Sequence, residues 1–253
     1  MSSLVAAGNR FLPRGWADLG RQLAIWFGFL AAYQVARGIA DRNPPRAFEN
    51  GLHVIGIERH THALIELTLQ RIVDGSQTLA ALASWTYWNS EFTVVGLALL
   101  FVYLRRNDAF VRFRNAILLA NVIGLVGYVA LPTAPPRMFP DLGFADTLAD
   151  FGGLNHGSGL VEIASNPYAA MPSLHSADAL ILGIVLSSVC RNRFFKAAWL
   201  LWPAWVWFSV MATGNHFWLD VLAGIVVATI ALVVVYGPGL RRQRRARLAP
   251  ATA

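Results

Sequence analysis

The sequence is short of charge and of cysteine, and each shortage removes a class of protein. Charged residues make up only 14% of 253, against 56% hydrophobic. That balance excludes an ordinary water-soluble domain and fits a chain that crosses a membrane several times. The single cysteine, Cys190, ends an apolar run and excludes an internal disulfide. No Cys/His metal set is evident. The N-terminus has no early apolar core followed by a small-residue cleavage site, so a retained first helix is expected rather than a removed signal. Internal repeats and signs of a second domain are also missing, and one integral membrane domain is expected over 1–253. The formal charge of +7 would suit nucleic acid. Its arginines, however, fall in short patches between apolar runs rather than along one surface, which argues against that partner.

What is present is a series of long apolar runs. They extend over Leu19–Ala40, Thr78–Leu104, Asn115–Leu131, Ser173–Cys190, Ala197–Met211 and Phe217–Tyr236. Most are near the length a helix needs to cross a bilayer. The expected fold is therefore all-α, a polytopic membrane protein with six transmembrane helices in one bundle. Residues 1–18 form a basic cytoplasmic arm, 19–236 the catalytic bundle and 237–253 an Arg-rich cytoplasmic tail. Gly237-Pro238-Gly239 should stop the last helix. After the turn signal Asn43-Pro44-Pro45, the apolar spacing of Val54, Ile57, Leu64, Leu67 and Ile72 suggests a helix lying at the membrane interface. Trp85, Tyr87 and Trp88 read as aromatics at headgroup level.

Counting basic residues on alternate sides sets the orientation. Fifteen Lys and Arg fall on one side; Arg37, Arg42, Arg46, Arg59, Arg71 and Arg137 make six on the other. Both termini should then be cytoplasmic. The Pro-rich loop after the third run and the starts of the fourth and sixth all open outward, so three polar clusters meet at one membrane face.

The third of these clusters is Thr213-Gly214-Asn215-His216-Phe217-Trp218-Leu219-Asp220. On a helix His216 and Asp220 share a face one turn apart, so the carboxylate accepts from one imidazole nitrogen and fixes the tautomer. A histidine held so is a general base or nucleophile, and ionisable groups at the end of an oily helix are functional by default. Taken alone, the spacing is a weak signal. The second cluster contains Pro172-Ser173-Leu174-His175. Proline suits the first helical position, and the amides after it, with the Ser173 hydroxyl, make an anion site. His175 stands where it can protonate a leaving oxygen, although a lone histidine there is more often a cap. Asp178 either steadies it or is a lone polar residue. The first cluster, Pro132 to Arg137, offers a permanently charged fork for phosphate, or an arginine snorkelling to lipid headgroups. Glu91 and Asn121 lie inside predicted spans. Both fit an inner-site role, and both fit the commoner helix–helix hydrogen bond. His60 and His62 read as polar interface residues; His53 and His156 carry no assignment.

Together, Pro-Thr-Ala-Pro-Pro-Arg at 132–137, Met-Pro-Ser-Leu-His at 171–175 and Thr-Gly-Asn-His at 213–216 resemble the motifs of the type 2 phosphatidic acid phosphatase superfamily. Within it the likeness is to the inositolphosphotransferase branch, which contains inositol phosphorylceramide synthases. The resemblance implies a metal-independent reaction without cofactor, through a phosphohistidine. His216 would attack a lipid phosphate, Asp220 orient it and His175 protonate the departing alcohol, with Arg137, Ser173 and Asn215 holding phosphate. Two positions depart from the phosphatase pattern. Ala130 and Val210 stand where it has basic residues, although Ser209 matches, and this favours the transferase-like branch.

The expected partners are a membrane lipid (phospholipid, lipid phosphate or polyprenyl phosphate) and an alcohol acceptor, in a bacterial plasma membrane. Two other readings remain: a lipid phosphate or polyprenyl diphosphate phosphatase using water, and a non-catalytic lipid-phosphate binder or transporter. Intact His175, His216 and Asp220 argue against the last. The Arg-rich tail reads as an anchor to anionic lipids.

Overall fold

The computed structural model describes residues 12–39, 43–151 and 167–248. Arg10, Arg42, His156 and Asn166 lie outside the described residues. Ten helices follow one another among those described: α1 (Gly15–Ile39), α2 (Pro44–His60), α3 (Glu66–Asp74), α4 (Gln77–Ser90), α5 (Thr93–Arg105), α6 (Asn107–Ala130), α7 (Thr147–Phe151), α8 (Leu174–Val189), α9 (Arg193–Ala212) and α10 (Trp218–Leu248). Two single 3-10 turns, Pro136–Met138 and Pro140–Leu142, follow α6. A parallel bridge joins Thr133 to Ala169.

Local chemistry starts these helices where the polar residues stand. Asn43 accepts from the Arg46 amide at the start of α2, with Pro44 and Pro45 supplying a fixed backbone just inside. The Ser76 hydroxyl caps α4 through the Leu79 amide, and Asn192 caps α9 through Phe194 at 2.8 Å. Each such cap is worth about 1 kcal/mol.

By length and hydropathy, α6, α9 and Trp218–Gly239 of α10 can each cross a membrane, and α4 with α5 makes a fourth if taken as one bent span. The expected run Thr78–Leu104 is thus not one straight helix: it bends by 56° at the break that leaves Glu91 and Phe92 between its halves. The helix α1 carries Asp18 and Arg21 in its first turns. The helix α8 has 16 residues, about 24 Å and short of a bilayer core.

Buried on most of its circumference, α8 packs on α6, α9 and α10. Ile117, Leu174, Ile181, Leu182 and Leu186 form the tightest part of this core. Outward, Leu97, Val126, Leu200, Leu201 and Val233 are more than half exposed, as apolar side chains facing lipid would be. Gly224 lets α10 close on the start of α8, where a β-carbon would overlap the Ser173 carbonyl oxygen.

The final helix does not stop at Gly237-Pro238-Gly239 but continues to Leu248. Pro238 lacks the one amide that would bond back along the helix. The arginine-rich residues beyond it are good helix formers, which helps the helix to resume. At one end of the bundle, Arg106 donates through Nη1 to the Val189 carbonyl, tying the α5–α6 turn to the end of α8. The polar clusters gather at the other.

Candidate active site

The turn between α9 and α10 is built by its own side chains. The Thr213 hydroxyl donates to the Ser209 carbonyl at 2.8 Å, and the amides of Asn215 and His216 both donate to the Val210 carbonyl at 3.1 Å. Gly214 has φ +73°, and a β-carbon there would overlap the Ala145 carbonyl oxygen and lie 2.8 Å from Gln70 Nε2. A residue with a side chain fits neither demand. The α10 helix begins only at Trp218, so His216 stands in the turn before it rather than on the helix face expected from its spacing.

This changes how His216 is held. Its Nδ1 donates to the Ala170 carbonyl at 2.9 Å, while Asp220 Oδ2 lies 3.6 Å away. The Asp220 carboxylate accepts instead from the Phe217 amide at 2.8 Å. Both neighbours of Nδ1 are acceptors, so Nδ1 bears the proton and the lone pair resides on Nε2. The expected tautomer thus arises mainly from a backbone carbonyl, with the carboxylate alongside. Ala170 is itself fixed by the bridge, in which Thr133 donates to the Tyr168 carbonyl and Ala170 to the Thr133 carbonyl.

His175 is placed by the first turn of α8. The Ser173 hydroxyl caps that helix through the Ser176 amide, and the Ser173 amide donates to the Asp220 carbonyl at 3.0 Å. Ser173 is fully buried. His175 Nε2 lies 3.1 Å from the Tyr87 carbonyl and 3.3 Å from Glu91 Oε2, both acceptors. Tyr87 is buried with its ring stacked on the imidazole at 4.6 Å. The rings of His175 and His216 stand 5.6 Å apart.

Arg137 comes to the same place from the Pro-rich segment. Its amide donates to the Gly214 carbonyl, its Nη1 to Asn215 Oδ1 at 2.5 Å, and its Nε lies 3.8 Å from Asp146. Asn215 is oriented by Thr213, whose carbonyl and hydroxyl oxygens accept from its Nδ2. All six site residues expected from the sequence therefore lie in one connected neighbourhood. Of the two departures from the phosphatase pattern, Val210 is fully buried and supports the turn through its carbonyl. Ala130 accepts through its carbonyl from Arg46 Nη2 at 3.2 Å.

The polar residues within the apolar runs divide. Asn121 donates to both oxygens of Asp178, at 3.1 and 3.2 Å, a hydrogen bond between α6 and α8. Asp178 is thus engaged with Asn121, and the carboxylate beside His175 is that of Glu91. The His53 side chain is exposed on the rim of an apolar groove of about 760 Å³ between α2, α6 and α10, which runs past Thr133, Met171 and Pro172.

Two glutamates were not singled out by the sequence. Glu66 accepts from the Trp218 amide at 2.7 Å and Glu58 from the Leu219 amide at 3.2 Å, so with Asp220 on Phe217 three successive amides opening α10 have carboxyl partners. Both glutamates are fully buried. Burial pushes each above the usual carboxylate range, and their mutual proximity raises Glu58 further. The faint sequence signal was that Glu58 lies one turn after Val54, on the buried side of an amphipathic helix.

A family model described as the PAP2 superfamily matches residues 52–234. The curated relative phosphoinositol dihydroceramide synthase of Bacteroides thetaiotaomicron is 29% identical over 164 residues, 59% of this chain and 53% of that protein. The chain spans about half the length of that relative. Among solved structures, the crystal structure of Aquifex aeolicus LpxE aligns with a TM-score of 0.49 at 18% identity, covering 68% of this chain and 94% of that one.

Proposed function

The chain belongs to the PAP2 superfamily, and from that membership and the site's geometry we propose an integral membrane enzyme that transfers a phosphoryl or phosphoinositol group from a lipid. The observation that carries the reading is the pair of buried imidazoles, 5.6 Å apart and held on opposite nitrogens, with Arg137 and Asn215 beside them.

His216 Nε2 attacks the lipid phosphorus. The bond from phosphorus to the departing oxygen breaks, and that oxygen takes the proton on Nδ1 of His175. In the second half, an incoming hydroxyl gives its proton to the same Nδ1 as its oxygen attacks the phosphohistidine. The P–N bond then breaks and Nε2 recovers its lone pair. The Ala170 carbonyl and Asp220 support the Nδ1–H form of His216 throughout. Arg137 meets phosphate charge with a planar fork oriented by Asn215. No step requires a metal or cofactor.

The apolar groove running past Met171 and Pro172 supports a lipid substrate. The likeness to a phosphoinositol dihydroceramide synthase supports an alcohol as acceptor in place of water. We read α1 and α8 as the fifth and sixth spans, α2 and α3 as interfacial helices, and the chain as one domain. The site then faces outward and both termini face the cytoplasm, as the arginine count predicts.

The test uses detergent-solubilised protein, wild type and His216→Ala, with phosphatidylinositol and a panel of lipid phosphates in EDTA. Candidate acceptor alcohols are added or omitted, and free phosphate and new lipid products are resolved. A phosphorylated acceptor that disappears in the variant is expected. Free phosphate alone would make the chain a phosphatase, and undiminished turnover by His216→Ala would refute the mechanism.

A further inference from the structure

Glu91 occupies the break between α4 and α5, where its backbone ends α4 as the C-cap residue. The two helices bend by 56° there, and its carboxylate is turned inward and buried. An ionisable group so placed in an apolar run needs a partner. The structure supplies one in His175, whose Nε2 is 3.3 Å from Glu91 Oε2. The same nitrogen is 3.1 Å from the Tyr87 carbonyl, one helical turn earlier in the chain. One short stretch therefore supplies a carbonyl, a carboxylate and a stacked ring to the histidine.

We propose that Glu91 is the positioning residue of His175, fixing the proton on Nε2 and stabilising the imidazolium whose Nδ1 proton goes to the departing oxygen. The proposal rests on the phosphohistidine reading and deepens it. The site then has two histidine–carboxylate pairs: His216 with Asp220 and His175 with Glu91. Among the described residues, the other ionisable groups at this corner have partners of their own. Asp178 of α8 is held by Asn121 of α6, and His216 is held by Ala170.

The dependence of rate on leaving group separates acid support from mere structure. An alkoxide is a poor leaving group and needs the proton; a nitrophenolate leaves without it. Wild type, Glu91→Gln, His175→Ala and His216→Ala are compared on dodecyl phosphate and 4-nitrophenyl phosphate in detergent. Glu91→Gln should lose about 10²-fold on the alkyl ester and only a few-fold on the aryl ester. His175→Ala should show the same pattern, while His216→Ala should be inactive on both. An equal loss by Glu91→Gln on the two esters would overturn the proposal, as would no loss on either.

A substrate-independent measurement stands beside this. In 15N-histidine-labelled protein the His175 Nε2–H proton should resonate downfield, as for an imidazole against a carboxylate, and move upfield in Glu91→Gln. An unmoved resonance refutes the pairing whether or not either ester is turned over. Persistent turnover by His216→Ala would instead refute the phosphohistidine reading.

Discussion

His175 and His216 each have a backbone carbonyl and a carboxylate beside one ring nitrogen, yet the nitrogen differs. In His216 it is Nδ1, facing Ala170 and Asp220; in His175 it is Nε2, facing Tyr87 and Glu91. The partners are alike in kind and the consequence is opposite. One ring is left with its lone pair on Nε2, which suits a nucleophile. The other is left to exchange its proton through Nδ1, which suits an acid and then a base. In each the carbonyl is the nearer group, at 2.9 and 3.1 Å, with the carboxylate at 3.6 and 3.3 Å. Backbone geometry thus selects the tautomer, and the carboxylate adds charge to it.

The sharpest break in this comparison is His216→Ala, which should abolish turnover on every ester while thermal unfolding in detergent stays close to wild type. Next comes Asp220→Asn, expected to lower kcat by about 10²-fold or more. Asparagine keeps an acceptor for the Phe217 amide but brings no negative charge to Nδ1, so an unaltered kcat would show the Ala170 carbonyl to be sufficient. Arg137→Lys should cost about tenfold, mainly in KM, because an ammonium group cannot reproduce the fork that meets phosphate and Asn215 together. Steady-state kinetics on whichever lipid the panel identifies would check it.

The smallest expected effect lies behind the site. Glu58 and Glu66 are both held above their ordinary range, so their protonated form is favoured in the folded state. That contribution is complete below the usual glutamate range and is lost as the pH rises toward the raised, folded-state values. Thermal stability should therefore fall into alkaline solution, and Glu58→Gln should flatten that fall with little change in kcat at neutral pH. Melting curves across pH would show it; an identical alkaline slope in the variant would contradict it.

How much of this was legible in the sequence follows from how local each feature is. Hydropathy marked the apolar runs because burial in lipid acts on whole stretches. The same averaging hid the break at Glu91 and the continuation of α10 past Pro238, since each turns on one or two residues. The catalytic candidates were legible because their motifs are contiguous: His175 lies within its own helix start, and Asn215, His216 and Asp220 within six residues of one another. Spacing alone put His216 on a helix face with Asp220, whereas α10 starts at Trp218, after a turn in which Gly214 has positive φ. The capping roles of Glu66 and Glu58 were not legible, the two being 152 and 161 residues away in sequence from the amides they cap, and only the burial of Glu58 left a faint trace. Glu91 was noticed for its charge, but its partner lies on another helix.

The central claim is that His216 carries the transferred group, and a rapid-quench experiment tests it directly. Wild type, His175→Ala and His216→Ala would be mixed with the turned-over lipid, quenched in base, digested and analysed by mass spectrometry. The account predicts an acid-labile, base-stable phosphoryl or phosphoinositol adduct on His216 in wild type, and none on any residue in His216→Ala. An adduct on another side chain, or turnover with no adduct in wild type, would contradict it.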